Sequence, residues 1–113
     1  MLKKENRISL NKDFDRIFKT GQSFYGKVLG FKAAKNMLPV SRFGIMISTK
    51  ISKKAVIRNR FKRQLRGIIC EELPELKTGY DVVLIVLPLI LDKNFEELKK
   101  FLIFGFGKLN LYK

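Results

Sequence analysis

The chain has 113 residues, with 24 Lys and Arg against 10 Asp and Glu, no histidine and a formal net charge of +14. A hydrophobic share of 46% belongs to a folded domain rather than a disordered chain, and the length suits one domain, 1–113, with one core. Such an excess of positive charge repels itself unless a polyanion relieves it, so nucleic acid is the first candidate partner and an anionic membrane surface the second.

The first predicted element is a helix over 11–20. Asn11 suits an N-cap, Asp13 the positive end of the helix dipole and Gly21 the C′ position, with Phe14, Ile17 and Phe18 at i, i+3, i+4. Residues 23–35 alternate imperfectly around Gly26 and Gly30 and read as one extended stretch with a bulge. A loop over 36–41 contains Pro39. A strand over 43–49 then puts Phe43, Ile45 and Ile47 on one face and Met46 on the other.

A second helix is predicted over 53–72, with Ile57, Phe61, Leu65 and Ile68 as its apolar stripe. Residues 80–87 are almost all apolar and β-branched, as a strand buried on both faces should be. Asn94 and Glu97 form a capping-box pair opening a last helix, which Gly105 and Gly107 are expected to end. The order α-β-β-α-β-α predicts an α+β, two-layer sandwich. Its sheet is mostly antiparallel, with one parallel βαβ crossover, right-handed by default.

The charge is not evenly spread. Residues 1–66 hold 18 basic and 3 acidic residues, whereas 67–113 hold 6 and 7. Lys50, Lys53, Lys54, Arg58, Arg60, Lys62, Arg63 and Arg66 lie within one stretch that has no acid. A face needed only for solubility mixes signs; a one-signed face can track a phosphate backbone, with Arg forks gripping phosphate bidentately. Phe14 and Phe18 share a helix face, and Phe24, Tyr25 and Phe31 lie in the extended stretch that follows. Exposed beside basic residues such as Lys32 and Lys35, aromatics of this kind offer stacking platforms to unpaired bases, although an apolar i, i+4 pair such as Phe14 and Phe18 is normally packing.

No catalytic set is visible. Without histidine there is no Ser–His or Cys–His pair, and the scattered acids do not converge as Mg²⁺ ligands. Neither catalytic nor metal-binding residues are therefore expected in the protein. The lone Cys70 cannot form an internal disulfide, which fits a reducing cytoplasm. The charged start is followed by no apolar stretch, so no signal peptide is expected. The apolar run 82–91 is broken by Pro88 and is half the ~20 residues that span a bilayer, so no membrane role is expected.

The stretch Ala55-Val56-Ile57-Arg58-Asn59-Arg60-Phe61-Lys62-Arg63-Gln64-Leu65-Arg66 resembles the signature of the bacterial ribonuclease P protein subunit. Arg42-Phe43-Gly44-Ile45 with Ile47-Ser48-Thr49-Lys50 resembles the strand that leads into it, and Asn6-Arg7-Ile8 with Asp13-Phe14 and Phe18-Lys19-x-Gly21 resembles the N-terminal element. Many members carry a glycine just before the helix, where this chain has Lys50-Ile51-Ser52-Lys53-Lys54.

The resemblance implies a ribosomal-protein-like fold whose βαβ crossover is left-handed. It implies the protein part of an endoribonuclease that removes the 5′ leader of precursor tRNA, with catalysis and Mg²⁺ in the RNA subunit. Its partners would be ribonuclease P RNA, in a 1:1 complex, and precursor tRNA. Lys50, Lys53, Lys54, Arg58, Asn59, Arg60, Lys62, Arg63 and Arg66 would meet the RNA subunit, while Phe14, Phe18, Phe31 and Lys32 would line a cleft for the leader. The competing reading is a small ribosomal or other structural RNA-binding protein.

Overall fold

The computed structural model describes residues 2–113. They form helix α1 (Asn11–Thr20), strands β1 (Gln22–Tyr25), β2 (Leu29–Lys35) and β3 (Arg42–Met46), helix α2 (Ala55–Glu72), strand β4 (Tyr80–Val86) and helix α3 (Phe95–Lys108). The sheet order is β1-β2-β4-β3. Strands β1, β2 and β4 run antiparallel, and β3 lies parallel to β4 across the α2 connection. The expected α+β class with a single parallel crossover is what forms.

Several local expectations are corrected. The stretch 23–35 is not one strand but a hairpin, closed where Gly26 N–H donates to the Leu29 carbonyl at 2.9 Å. Asn11 is the first helical residue rather than the cap; the capping position belongs to Leu10, which has no side-chain acceptor. Gly21 is extended (φ −80°, ψ 158°) rather than left-handed, and is small because a Cβ there would meet the Ile17 carbonyl oxygen at 2.6 Å. Strand β3 stops at Met46, and α2 begins at Ala55.

Alternation along the strands sorts the two faces. The cross-strand row Phe24–Phe31–Leu84–Ile45 points toward α2 and α3 and enters the main core. There α2 contributes Phe61, Leu65, Ile68 and Ile69, while α3 contributes Leu98, Leu102 and Phe106. The rows Ser23–Lys32–Val83–Gly44 and Tyr25–Gly30–Ile85–Met46 point the other way. On that side α1 covers only part of the sheet, through Ile17 against Ile8 and Val83.

The last helix also departs from expectation. Asn94 and Glu97 do form the capping box, with bonds of 2.9 and 3.1 Å. Gly105 and Gly107 do not end α3, however, which continues to Lys108. Gly105 is there for packing: a Cβ would lie 2.2 Å from the Phe31 ring, so the bare backbone lets helix and sheet approach.

Chain chirality fixes the hand of the crossover. Viewed from the α2 side with β3 running upward, Phe43 points its ring at the viewer, and an L residue so placed directs its carbonyl to the right. That carbonyl accepts from Ile8 N–H at 3.0 Å on the outer edge of β3, so β4 lies to the left. The β3–α2–β4 connection steps leftward in front of the sheet. It is left-handed, against the ~98% right-handed rule.

Candidate nucleic-acid interface

Three groups of side chains are relevant: the basic run through α2, the open sheet face beside α1, and a buried charge network around Asp81 that reaches α1 through Arg16.

The basic run begins in the loop before α2. Ile51 is buried and anchors this loop, while the Ser48 and Ser52 hydroxyls accept from Lys50 N–H (3.0 Å) and Lys54 N–H (3.2 Å). Held this way, the backbone leaves the Lys50, Lys53 and Lys54 side chains in solvent. Along α2 the apolar stripe is buried, so the 3.6-residue period turns Asn59, Arg60 and Arg63 fully outward and leaves Arg58, Lys62 and Arg66 half-buried at its edges. Arg58 Nη1 donates to the Ser52 carbonyl at 2.8 Å, tying the loop to the helix. The Arg60 guanidinium lies 5.1 Å from the Phe61 ring centroid. Arg63, Arg66 and Gly67 line one wall of a groove of about 450 Å³ whose other side carries Arg7. No acid stands in the first turn of α2, so the helix dipole adds to the positive field.

The second surface lies beside α1. Phe14 and Phe18 are half-buried, packed beside Ile8, Ile17 and Val83 with one edge open to solvent. A Cβ at Gly44 would meet the Phe14 ring at 2.8 Å, so glycine lets this ring lie on the sheet. Gly30 does the same for Tyr25, whose ring a Cβ would meet at 2.6 Å. Lys32 places Nζ 5.5 Å from the Phe18 ring centroid and donates to Ser23 Oγ at 3.0 Å. Phe14, Phe18 and Met46 flank an open groove of about 490 Å³ that Asn11 and Asp15 complete.

Phe31 is corrected here. It is 1% exposed and stacks edge-on with Phe106 on the opposite face of the sheet. The reason is the period of two: Phe31 and Lys32 are adjacent in sequence and so cannot share a face. Phe14, Phe18 and Lys32 do come together. Tyr25, Met46 and Ile85 join them on the open face, where only the strand register aligns them with Gly30. The signal available beforehand was the Phe24-Tyr25 alternation itself, where burying Phe24 frees Tyr25.

The third group centres on Asp81, whose side chain is fully buried. It accepts from Arg42 Nε (2.9 Å) and Nη2 (2.6 Å), from Asn36 Nδ2 (2.8 Å) and from Arg16 Nη2. Burial pushes the carboxyl up, but the hydrogen bonds from Arg42 and Asn36 and the two guanidinium charges outweigh it and hold it below the usual carboxylate range. The hydrogen bond to Asp81 likewise raises Arg42 above its ordinary value. Arg42 also stands 3.5 Å from Asp13 of α1.

Among the described residues, no three His, Cys, Asp or Glu side chains converge as a metal site. No described helix is long and apolar enough to cross a membrane.

Comparison with known proteins places the chain in a family. Residues 2–110 match the family model described as Ribonuclease P. The chain is 40% identical over 106 residues to the ribonuclease P protein component of Microcystis aeruginosa, covering 87% of this chain and 88% of that protein. It is also 40% identical over 108 residues to that of Bacillus mycoides, covering 95% and 93%. The fold superposes on a Staphylococcus aureus RNase P protein mutant with TM-score 0.91 at 25% identity, covering 96% of this chain and 92% of that one.

Proposed function

The chain belongs to the ribonuclease P protein family, the bacterial protein component of a tRNA-processing ribonucleoprotein, and on that premise we propose how its surfaces divide the work. The basic loop and outer face of α2 dock the RNA subunit, in a 1:1 complex, through Lys50, Lys53, Lys54, Arg58, Asn59, Arg60, Lys62, Arg63 and Arg66. Each phosphate that such a face neutralises releases counterions, so this contact is salt-sensitive. The cleft beside α1 takes the single-stranded 5′ leader of precursor tRNA. Phe14 and Phe18 offer ring edges and faces to unpaired bases, and Lys32 supplies the charge for a neighbouring phosphate.

Phosphodiester hydrolysis then belongs to the RNA subunit, where Mg²⁺ would supply charge stabilisation and an activated water. This chain's part is to bind and orient. One observation carries the reading: a half-open aromatic pair with a single lysine over one ring lies on the sheet face away from α2, where nothing in the core requires it to be wet. The test is reconstitution with a bacterial ribonuclease P RNA at low Mg²⁺. Cleavage of precursor tRNA should exceed that by RNA alone, and Phe18→Ala should weaken binding of long-leader substrate by about 1–3 kcal/mol per base unstacked. No enhancement by the wild-type protein would overturn the assignment of roles, and an unchanged Phe18→Ala would overturn the cleft.

A further inference from the structure

We propose that Asp81 is a positioning residue for leader binding: one buried carboxylate gathers Arg16 of α1, Asn36 of the β2–β3 loop and Arg42 of β3, fixing how α1 sits over the sheet and so the width of the cleft. The proposal rests on the leader-cleft reading above.

Helix α1 has ten residues and no side-chain N-cap, and its apolar anchorage is small: buried Ile17 against Ile8 and Val83, with Phe14 and Phe18 half-buried beside them. A helix this short is marginal alone, so its placement depends on its tethers. The strongest is Arg16, whose Nη1 donates to the Lys35 carbonyl at 3.0 Å while Nη2 reaches Asp81. Arg16 stands two residues from both Phe14 and Phe18. Since i, i+2 positions do not face each other on a helix, it grips the sheet from the far side and leaves the cleft open. Asp13 adds a second tether to Arg42 at 3.5 Å.

The network also balances its charges, with Asp13 and Asp81 against Arg16 and Arg42. These guanidiniums are spent within the fold, unlike the solvent-facing Arg60 and Arg63. That marks them as scaffold for the cleft rather than as part of its lining.

The experiment uses the reconstituted holoenzyme. It compares affinity for precursor tRNA with a long leader against one with a single-nucleotide leader, the ratio being the leader contribution. Arg16→Ala cuts the tether while keeping the Asp81–Arg42 pair, and circular dichroism checks that the fold persists. The ratio should fall about tenfold, the scale of one charge-assisted hydrogen bond, while RNA-subunit affinity and the salt slope of leader binding stay as in wild type. An unchanged ratio overturns the proposal. So does a fall accompanied by a slope loss of about 0.7, the signature of a lost single-strand phosphate contact, which would make Arg16 a direct ligand.

Asp81→Asn, if folded, should lower the ratio at least as far as Arg16→Ala; a wild-type ratio overturns the proposal. Phe18→Ala separates the two levels of the argument. If it lowers the ratio and Arg16→Ala does not, the positioning role fails and the cleft stands. If Phe18→Ala leaves the ratio intact, the cleft reading itself fails and the proposal falls with it.

Discussion

Two glycines in one helix should respond oppositely to the same substitution. Glycine in a helix interior is about 1 kcal/mol less favourable than alanine, so Gly→Ala should normally stabilise α3. At Gly107 nothing lies within 4 Å of the added Cβ, and Gly107→Ala should gain about 0.5–1 kcal/mol. At Gly105 the new Cβ would fall 2.2 Å from two carbons of the Phe31 ring, where ordinary contact begins at 3.4 Å. The ring has little room to yield. It is 1% exposed, with the Phe106 centroid 5.9 Å and the Phe24 centroid 6.2 Å away.

Overpacking of this kind costs about 1–3 kcal/mol or more, enough to cancel the propensity gain and leave Gly105→Ala about 1–2 kcal/mol less stable. At roughly 4 °C per kcal/mol for a domain of this size, thermal unfolding should show Gly105→Ala several degrees below wild type and Gly107→Ala a few degrees above it. A Gly105→Ala protein as stable as Gly107→Ala would refute the packing account of α3 against the sheet.

Other outcomes follow from the same geometry. Arg60→Ala, at a solvent-facing position, should leave the melting temperature nearly unchanged and lower the salt slope of RNA-subunit binding by about one unit for a lost phosphate contact; an unchanged slope would count against that role. Asp81 has a folded pKa below its unfolded value, so its contribution is present above about pH 4 and lost as pH falls through the folded pKa. Asp81→Asn should therefore flatten the acid limb of the stability–pH curve, besides costing about 3–5 kcal/mol for the stranded guanidiniums; an acid limb identical to wild type would show that the pair does not set it. Asn94→Ala removes the capping-box acceptor of α3 and should cost about 1 kcal/mol in denaturant unfolding, with the midpoint shifted and the slope unchanged.

Much of the fold was legible because its signals are local. The α2 stripe at Phe61, Leu65 and Ile68, the doubly buried β4 and the Asn94–Glu97 capping box each depend on spacing within a few residues, which the backbone periods read directly. The basic face was legible for the same reason: once the apolar stripe is buried, Asn59, Arg60 and Arg63 have nowhere to point but outward.

What lay beyond the sequence alone depends on partners distant in the chain. Residues 23–35 became a hairpin only through Gly26 and Leu29 closing a turn and β2 pairing with β4. Phe31 looked like a neighbour of Lys32 but belongs to the opposite face, because β2 register against Leu84 aims it at α3, and Gly105 looked like a helix stop until the Phe31 ring occupied the space its side chain would need. Asp81, one acid in an apolar strand, revealed nothing of Arg16, Asn36 and Arg42 until four segments met around it. Charge and period are properties of neighbours along the chain, so the sequence by itself determined a basic helix and an α+β domain. Register and close packing are properties of neighbours in space, so only the tertiary structure decided which aromatics stay open to solvent and which are core.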